Sequence, residues 1–274
     1  MDSLKNRMLG AMQNKLGQFS VCARIAVKLR NQLDAIIASH LNDGIDMYLN
    51  GELWLIDSVA PKAKVFFDVG ANTGVWSKLF LSKMPKPQKG LLFEPSPLAV
   101  RYLKSNLKLG IQENFIKIIQ AAVCDQSGQM DFFMEESAGE TSSLIKKHSK
   151  SQTQKITVKT TTIDSEVLNH DLGFIDFIKI DAEGYDLHVL RGAEKCLSEK
   201  NVGVIQFEYN KPWANSSSTL ISAIEYLNNH GYEVYLLKKN GLYDFRYEIY
   251  GEYFRYSNFV AIAPGYLDVN PLCL

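Results

Sequence analysis

The chain has 274 residues, 46% hydrophobic and 22% charged, an ordinary globular composition with material for one large core and an extension. Its 30 basic and 30 acidic residues cancel, so overall charge advertises no nucleic-acid partner, and no run of about 18 apolar residues offers a spanning helix. Cys22, Cys124, Cys196 and Cys273 are too widely spaced for a zinc site or a disulfide framework and the N-terminus lacks a secretory core, so a reduced cytoplasmic setting is expected.

Residues 1–38 hold Lys5, Arg7, Lys15, Arg24, Lys28 and Arg30 against Asp2 and Asp34, and apolar side chains from Leu4 to Ile36 recur at three- and four-residue steps. That pattern predicts an accessory helical segment whose apolar stripe meets the main domain, a second subunit or a membrane surface. Residues 46–59 predict a short helix interrupted at Gly51 and leading through Pro61. The expected organisation is an N-terminal helical extension over 1–58 and one domain over 59–274.

Val65-Phe66-Phe67-Asp68 is apolar enough for a strand buried on both faces, and Gly70 and Gly74 then let the backbone turn close to a ligand. A helix over 75–84 is closed by Pro85 and Pro87, and a second apolar run ends in Glu94. An acid at the tip of a second strand can bind both hydroxyls of a ribose held over the first loop. Ser96 and Pro97 open a helix over 98–109 that stops at Gly110. A third strand is expected over 115–123, a hairpin strand over 130–134, a surface loop over 135–154 and a half-exposed edge strand over 156–163.

Residues 174–180 form the next strand, delivering Asp181 and Glu183 to a loop before a helix over 187–197. A fifth strand over 202–207 ends at Glu208, and a helix over 219–230 stops at Gly231. Strands over 232–237 and 258–263 have no helix between them long enough for a parallel crossover, so they pair antiparallel. The fold expected is α/β, a Rossmann-like doubly wound sheet of seven strands in the order 3-2-1-4-5-7-6 with the last strand antiparallel.

Three stretches resemble FkbM-type S-adenosylmethionine-dependent methyltransferases, which have the class I methyltransferase fold. They are Asp68-Val69-Gly70-Ala71-Asn72-Thr73-Gly74, Phe93-Glu94-Pro95-Ser96-Pro97, and Ile178-Lys179-Ile180-Asp181-Ala182-Glu183-Gly184-Tyr185-Asp186 with Val189-Leu190-Arg191-Gly192-Ala193 behind it. The third is the most specific, and Ala182 stands where its common form has a bulkier aliphatic. The resemblance implies that Gly70, Ala71, Asn72 and Gly74 bend around the methionine part of S-adenosyl-L-methionine. Asp68 would hold loop amides or, through water, the amino group. Glu94 would take the ribose, and Pro95, Ala122 and Asp125 the adenine. A nicotinamide dinucleotide would call for glycine at Asn72 and a bare helix N-terminus, so an oxidoreductase stays as the alternative that Asn72 and Asp68 oppose.

For chemistry, Asp181 and Glu183 lie at the carboxyl edge of the fourth strand, and either can serve as base or orient an acceptor. Glu183 has a second reading, as a cap on the next helix. Glu208 and Asn210 join Asp181 either in an acceptor pocket or around a divalent cation, so metal dependence is open. His188 is read as a packed helix residue with a cleft-facing base as the alternative. Trp213, Tyr209 and the tyrosines of 243–256 offer stacking surfaces for a flat acceptor. The resemblance implies O-methylation of a hydroxyl on a glycan, lipid-linked sugar or secondary metabolite. N-methylation, a metal-assisted variant, a non-catalytic cofactor-binding module and a homo-oligomer remain alternatives to be weighed.

Overall fold

The computed structural model describes residues 2–108, 114–135, 153–268 and 270–274. It divides into two compact units, residues 1–41 and 42–274. The first contains helices Asp2–Gly17 and Ser20–Leu41. Residues 42–58, assigned to the extension on sequence grounds, fall in the second unit. Leu55, Ile56 and Val59 of helix Glu52–Val59 are fully buried in the same core as Phe66, Phe177 and Val260.

Strands β1 (Val65–Val69), β2 (Lys89–Phe93), β3 (Ile116–Ile119), β4 (Ala122–Val123), β5 (Gly128–Glu135), β6 (Thr153–Thr161), β7 (Ile175–Ile180), β8 (Val202–Tyr209), β9 (Glu233–Lys238), β10 (Gly241–Tyr243) and β11 (Ser257–Ile262) form two sheets. The larger has eight strands in the order β3-β2-β1-β7-β8-β11-β9-β10. β1, β2, β3, β7 and β8 run parallel, while β11 is antiparallel to both β8 and β9. Taken without β10, this is the expected 3-2-1-4-5-7-6 arrangement. The eighth strand arises because the chain reverses at Lys239 and Asn240 and pairs Gly241 with Lys238.

Parallel strands buried on both faces suit the largely apolar β1, β7 and β8, whose interiors are almost wholly excluded from solvent although Asp68, Lys179 and Gln206 lie within them. Asp176, near the start of β7, accepts the Lys64 and Val65 amides at 2.8 Å each and so fixes where β1 begins.

The expected third strand breaks. Ala121 donates to the Ile119 carbonyl at 2.9 Å, a three-residue turn that ends β3 and sends β4 to a separate sheet, ordered β4-β6-β5. There β5 and β6 pair antiparallel, so the expected hairpin strand and edge strand are partners. Residues 136–152 of the expected loop, and the helix end at Gly110, lie outside the described residues.

Two helices also differ from expectation. β6 stops at Thr161 because the Thr162 hydroxyl accepts the Ser165 amide at 3.0 Å and caps helix Ile163–Asn169. The single helix expected over 187–197 is split into Asp186–Arg191 and Glu194–Ser198. Gly192 at the break packs so closely that a Cβ would lie 2.1 Å from the Cys124 carbonyl oxygen, and Asp164 caps the second piece through the Lys195 and Cys196 amides at 2.9 Å each.

Candidate active site

The carboxyl ends of β1, β2, β7 and β8 surround a cavity of about 430 Å³, within the range of small-ligand sites. On one side, the loop after β1 hangs from β2: the Gly70 and Ala71 amides both donate to the Phe93 carbonyl at 3.0 Å. Gly70 (φ +80°) also passes so near β7 that a Cβ would sit 2.0 Å from the Asp181 carbonyl oxygen. Gly70→Ala is therefore expected to displace the loop or β7. It should lower thermal stability by about 2–3 kcal/mol and reduce cofactor affinity, read by thermal melts and calorimetry.

Asp68 is completely buried. Its Oδ2 accepts from the Ser77 hydroxyl on helix Val75–Lys83, and its Oδ1 has no partner. The loop amides expected to bind it go to Phe93 and Glu94 instead. Burial raises its proton affinity, against the opposing charge of Lys179.

Glu94 accepts the Asn72 amide at 2.9 Å through Oε2 and the Ser96 amide at 2.7 Å through Oε1. Its pKa is pushed up to about 7, first by burial and then by the charges of Asp68 and Asp181, with the two amides opposing. Pro95, Ala122, Ala71 and Asn72 line the same cavity. Gly74 lies behind the loop, facing Leu103, and Asp125 turns to His188, with 2.9 Å between its Oδ2 and Nδ1. The other ring nitrogen of His188 lies 3.3 Å from the Ser216 carbonyl, which makes this histidine a bridge between loops.

Asp181, Glu183 and Glu208 all line the opposite side. Lys179, whose side chain is only 10% exposed, bonds Asp181 at 3.0 Å and lies 5.9 Å from the centre of the Trp76 ring. Burial disfavours its charge, but Asp181, Asp68 and Glu52 outweigh burial and hold it as a cation. Glu183 occupies a left-handed turn (φ +50°). Asp186 accepts the Gly184 amide of that turn at 3.2 Å and, across to β8, the Glu208 amide at 3.3 Å. Burial and then Asp181 push Asp186 up to about 8.

Glu208 is also raised: burial first, then the charges of Asp181, Asp186 and Glu183, lift its carboxyl well above the ordinary range. Asn210 donates its Nδ2 to Glu208 Oε1, supporting Glu208 from behind. Among the described residues, no three His, Cys, Asp or Glu side chains are grouped to hold a metal ion.

Sequence reasoning missed a third wall. Glu52, Tyr256 and Asn258 line the cavity, joined by Asn50. Asn258 Nδ2 donates to the Tyr256 hydroxyl at 3.0 Å and to Glu52 at 3.3 Å. These residues are some 200 positions apart, so no local spacing links them. Lys179 did carry a signal, a lysine two residues before Asp181 at the strand tip, in a run that is otherwise apolar after Asp176. Tyr209 and Trp213, read as stacking surfaces, are fully buried: Tyr209 bonds Glu252 at 2.7 Å and the Trp213 indole bonds the Glu208 carbonyl at 2.8 Å. Tyr256 is the tyrosine of the 243–256 group that reaches the cavity.

A glycine-bracketed loop after β1, an acid at the tip of β2 and an antiparallel β11 between β8 and β9 define the class I methyltransferase fold. Residues 68–234 match the Methyltransferase FkbM domain, and the chain belongs to that family. No curated protein matches it. Among solved structures, it is similar to the methyltransferase FkbM from Methylobacillus flagellatus KT (13% identity, TM-score 0.46, 72% of this chain and 43% of that one). Others are precorrin-6y C5,15-methyltransferase from Geobacter metallireducens GS-15 (15%, 0.43, 77% and 87%) and an O-methyltransferase from Bacillus cereus in complex with SAH (12%, 0.42, 84% and 87%). The chain thus spans less than half the length of the Methylobacillus protein.

Proposed function

We propose that the chain transfers the methyl group of S-adenosyl-L-methionine to a hydroxyl of a glycan, lipid-linked sugar or secondary metabolite. The observation that carries this reading is one cavity with Glu94 and the β1 loop on one wall and Asp181, Glu183 and Glu208 on another. The residues fit the cofactor. Each Glu94 oxygen accepts one amide and keeps a lone pair for a ribose hydroxyl. Gly70, Ala71 and Asn72 supply the curved backbone for the methionine part, and Asp68 Oδ1 is a buried acceptor still in want of a donor. Pro95 and Ala122 offer apolar contact for the adenine, and Gly74 shapes the loop from behind; Asp125, expected at the adenine, pairs with His188 and is not among the residues lining the cavity.

When bound, the cofactor supplies an electrophilic methyl on a sulfonium. Residues of the opposite wall then have two tasks. Asp181, fixed by Lys179, orients the acceptor hydroxyl with Glu183. Glu208, in its ionised form, receives the hydroxyl proton as the oxygen bonds to the methyl carbon, and the raised proton affinity of its buried site then holds that proton. In-line placement supplies most of the acceleration.

The test is transfer from methyl-labelled S-adenosylmethionine to glycan, lipid and small-molecule fractions, with the product bond identified by mass spectrometry. Glu208→Gln is expected to lower kcat by about 10²–10⁴-fold, with binding of S-adenosylhomocysteine retained. Label on nitrogen, or thermal stabilisation by NAD in place of S-adenosylhomocysteine, would each overturn it; loss of turnover on adding a chelator would overturn Glu208 as the base in favour of a metal-assisted transfer.

A further inference from the structure

Helix Ser20–Leu41 is 22 residues long, about 33 Å, and Cys22, Ile25, Ala26, Leu29, Leu33 and Ile36 form an apolar stripe along it, with Val27 on the opposite side. Leu29, Leu33 and Ile36 are 61%, 60% and 65% exposed. Helix Asp2–Gly17 repeats the arrangement with Met8, Met12 and Leu16 one turn apart and likewise exposed. No described helix is long and apolar enough to cross a membrane.

Charge is segregated along the chain. Residues 1–41 hold six basic side chains against two acidic ones, leaving 24 basic against 28 acidic in 42–274. Placement matters as much as the count. At 100° per residue, Lys28 and Arg30 lie on either flank of Leu29, and Arg24 falls on the Lys28 side. The one acid of this helix beyond its first turn, Asp34, sits 3.8 Å from Arg30 in a solvent-exposed pair of little strength. A helix that pairs with another helix sets opposite charges along the edges of its seam. Here both edges are basic, which suits long cationic side chains reaching up from an apolar face to anionic headgroups.

We propose that residues 1–41 lie on an anionic lipid surface, with Leu29, Leu33 and Ile36 in the acyl boundary and Arg24, Lys28 and Arg30 at the phosphates. This is independent of the methyl-transfer reading. The test is co-sedimentation of the full chain with vesicles of phosphatidylcholine, with and without phosphatidylglycerol, at moderate salt. Binding is expected only to the anionic vesicles. It should weaken roughly tenfold or more in Lys28→Glu/Arg30→Glu and also in Leu29→Ser/Leu33→Ser, while the thermal midpoint of the main unit stays unchanged. No sedimentation with anionic vesicles would overturn the proposal. So would binding that survives loss of the two leucines, which would place the attraction on charge elsewhere. A dimer in light scattering that dissociates in Leu29→Ser/Leu33→Ser, without vesicle binding, would assign the face to a second copy instead.

Discussion

Replacing Lys179 with methionine is expected to destabilise residues 42–274 by about 3–5 kcal/mol, the usual consequence of removing one partner from a buried ion pair. The ammonium is held between Asp181 at 3.0 Å and the field of Asp68 and Glu52. Without it, the wholly buried Asp68 and the carboxylates of the far wall face one another with no cation among them. Methionine fills similar volume and restores no charge. For a unit of this size the thermal midpoint should fall by roughly 10 °C. Lys179→Met/Asp181→Asn should recover part of the loss, because the unpaired charge, and not the missing contact, is the dominant cost. A fall below about 1 kcal/mol in the single variant would show that water entering the cavity already solvates both partners, whose side chains are 10% and 33% exposed. Cofactor binding should suffer too, since the Asp181 main chain packs directly under Gly70.

What could be read in the sequence follows a physical division. Strand order is legible because β1, β7 and β8 are predominantly apolar on both faces and their helical connections enforce parallel pairing. Residues at strand tips, Asp68, Glu94, Asp181 and Glu208, were legible because topology brings such tips to one edge. What chain spacing does not encode was lost. The break between β3 and β4 rests on a single three-residue turn, and the separate β4-β6-β5 sheet is formed by segments whose alternation is equally consistent with edge strands. The Glu52–Tyr256–Asn258 wall depends on helix Glu52–Val59 packing in the main core, which short local patterns do not specify. Asp186 stands in the most specific motif, but its carboxylate ties the β7 loop to the Glu208 amide on a separate strand, a bond that no local spacing encodes.

Glu94 yields the second large effect, in pH as well as in affinity. Its pKa of about 7 in the folded chain, against an ordinary 4.5, means that the native state retains a proton the unfolded chain has released. The contribution to stability is therefore fully present below about pH 4.5 and is lost as pH rises through about 7. Cofactor binding has the opposite sign. A carboxylate accepting two ribose hydroxyls must be ionised, so affinity for S-adenosylhomocysteine should rise between about pH 6 and pH 8, by up to tenfold per unit below the pKa. Asp68 and Asp181, which face Glu94 across the loop, add to its raised pKa, so lowering their charge should move the inflection down. Glu94→Gln should bind roughly 10–100-fold more weakly at pH 8, as expected when a charged acceptor is lost from two hydrogen bonds. Its affinity should also vary little with pH. Glutamine presents one amide nitrogen to a donor, Asn72 or Ser96, so the loop is disturbed as well; the ligand-free melting midpoint measures that part separately. Calorimetry across this range decides the matter: an unchanged slope in Glu94→Gln would place the titrating group elsewhere and remove Glu94 from the ribose.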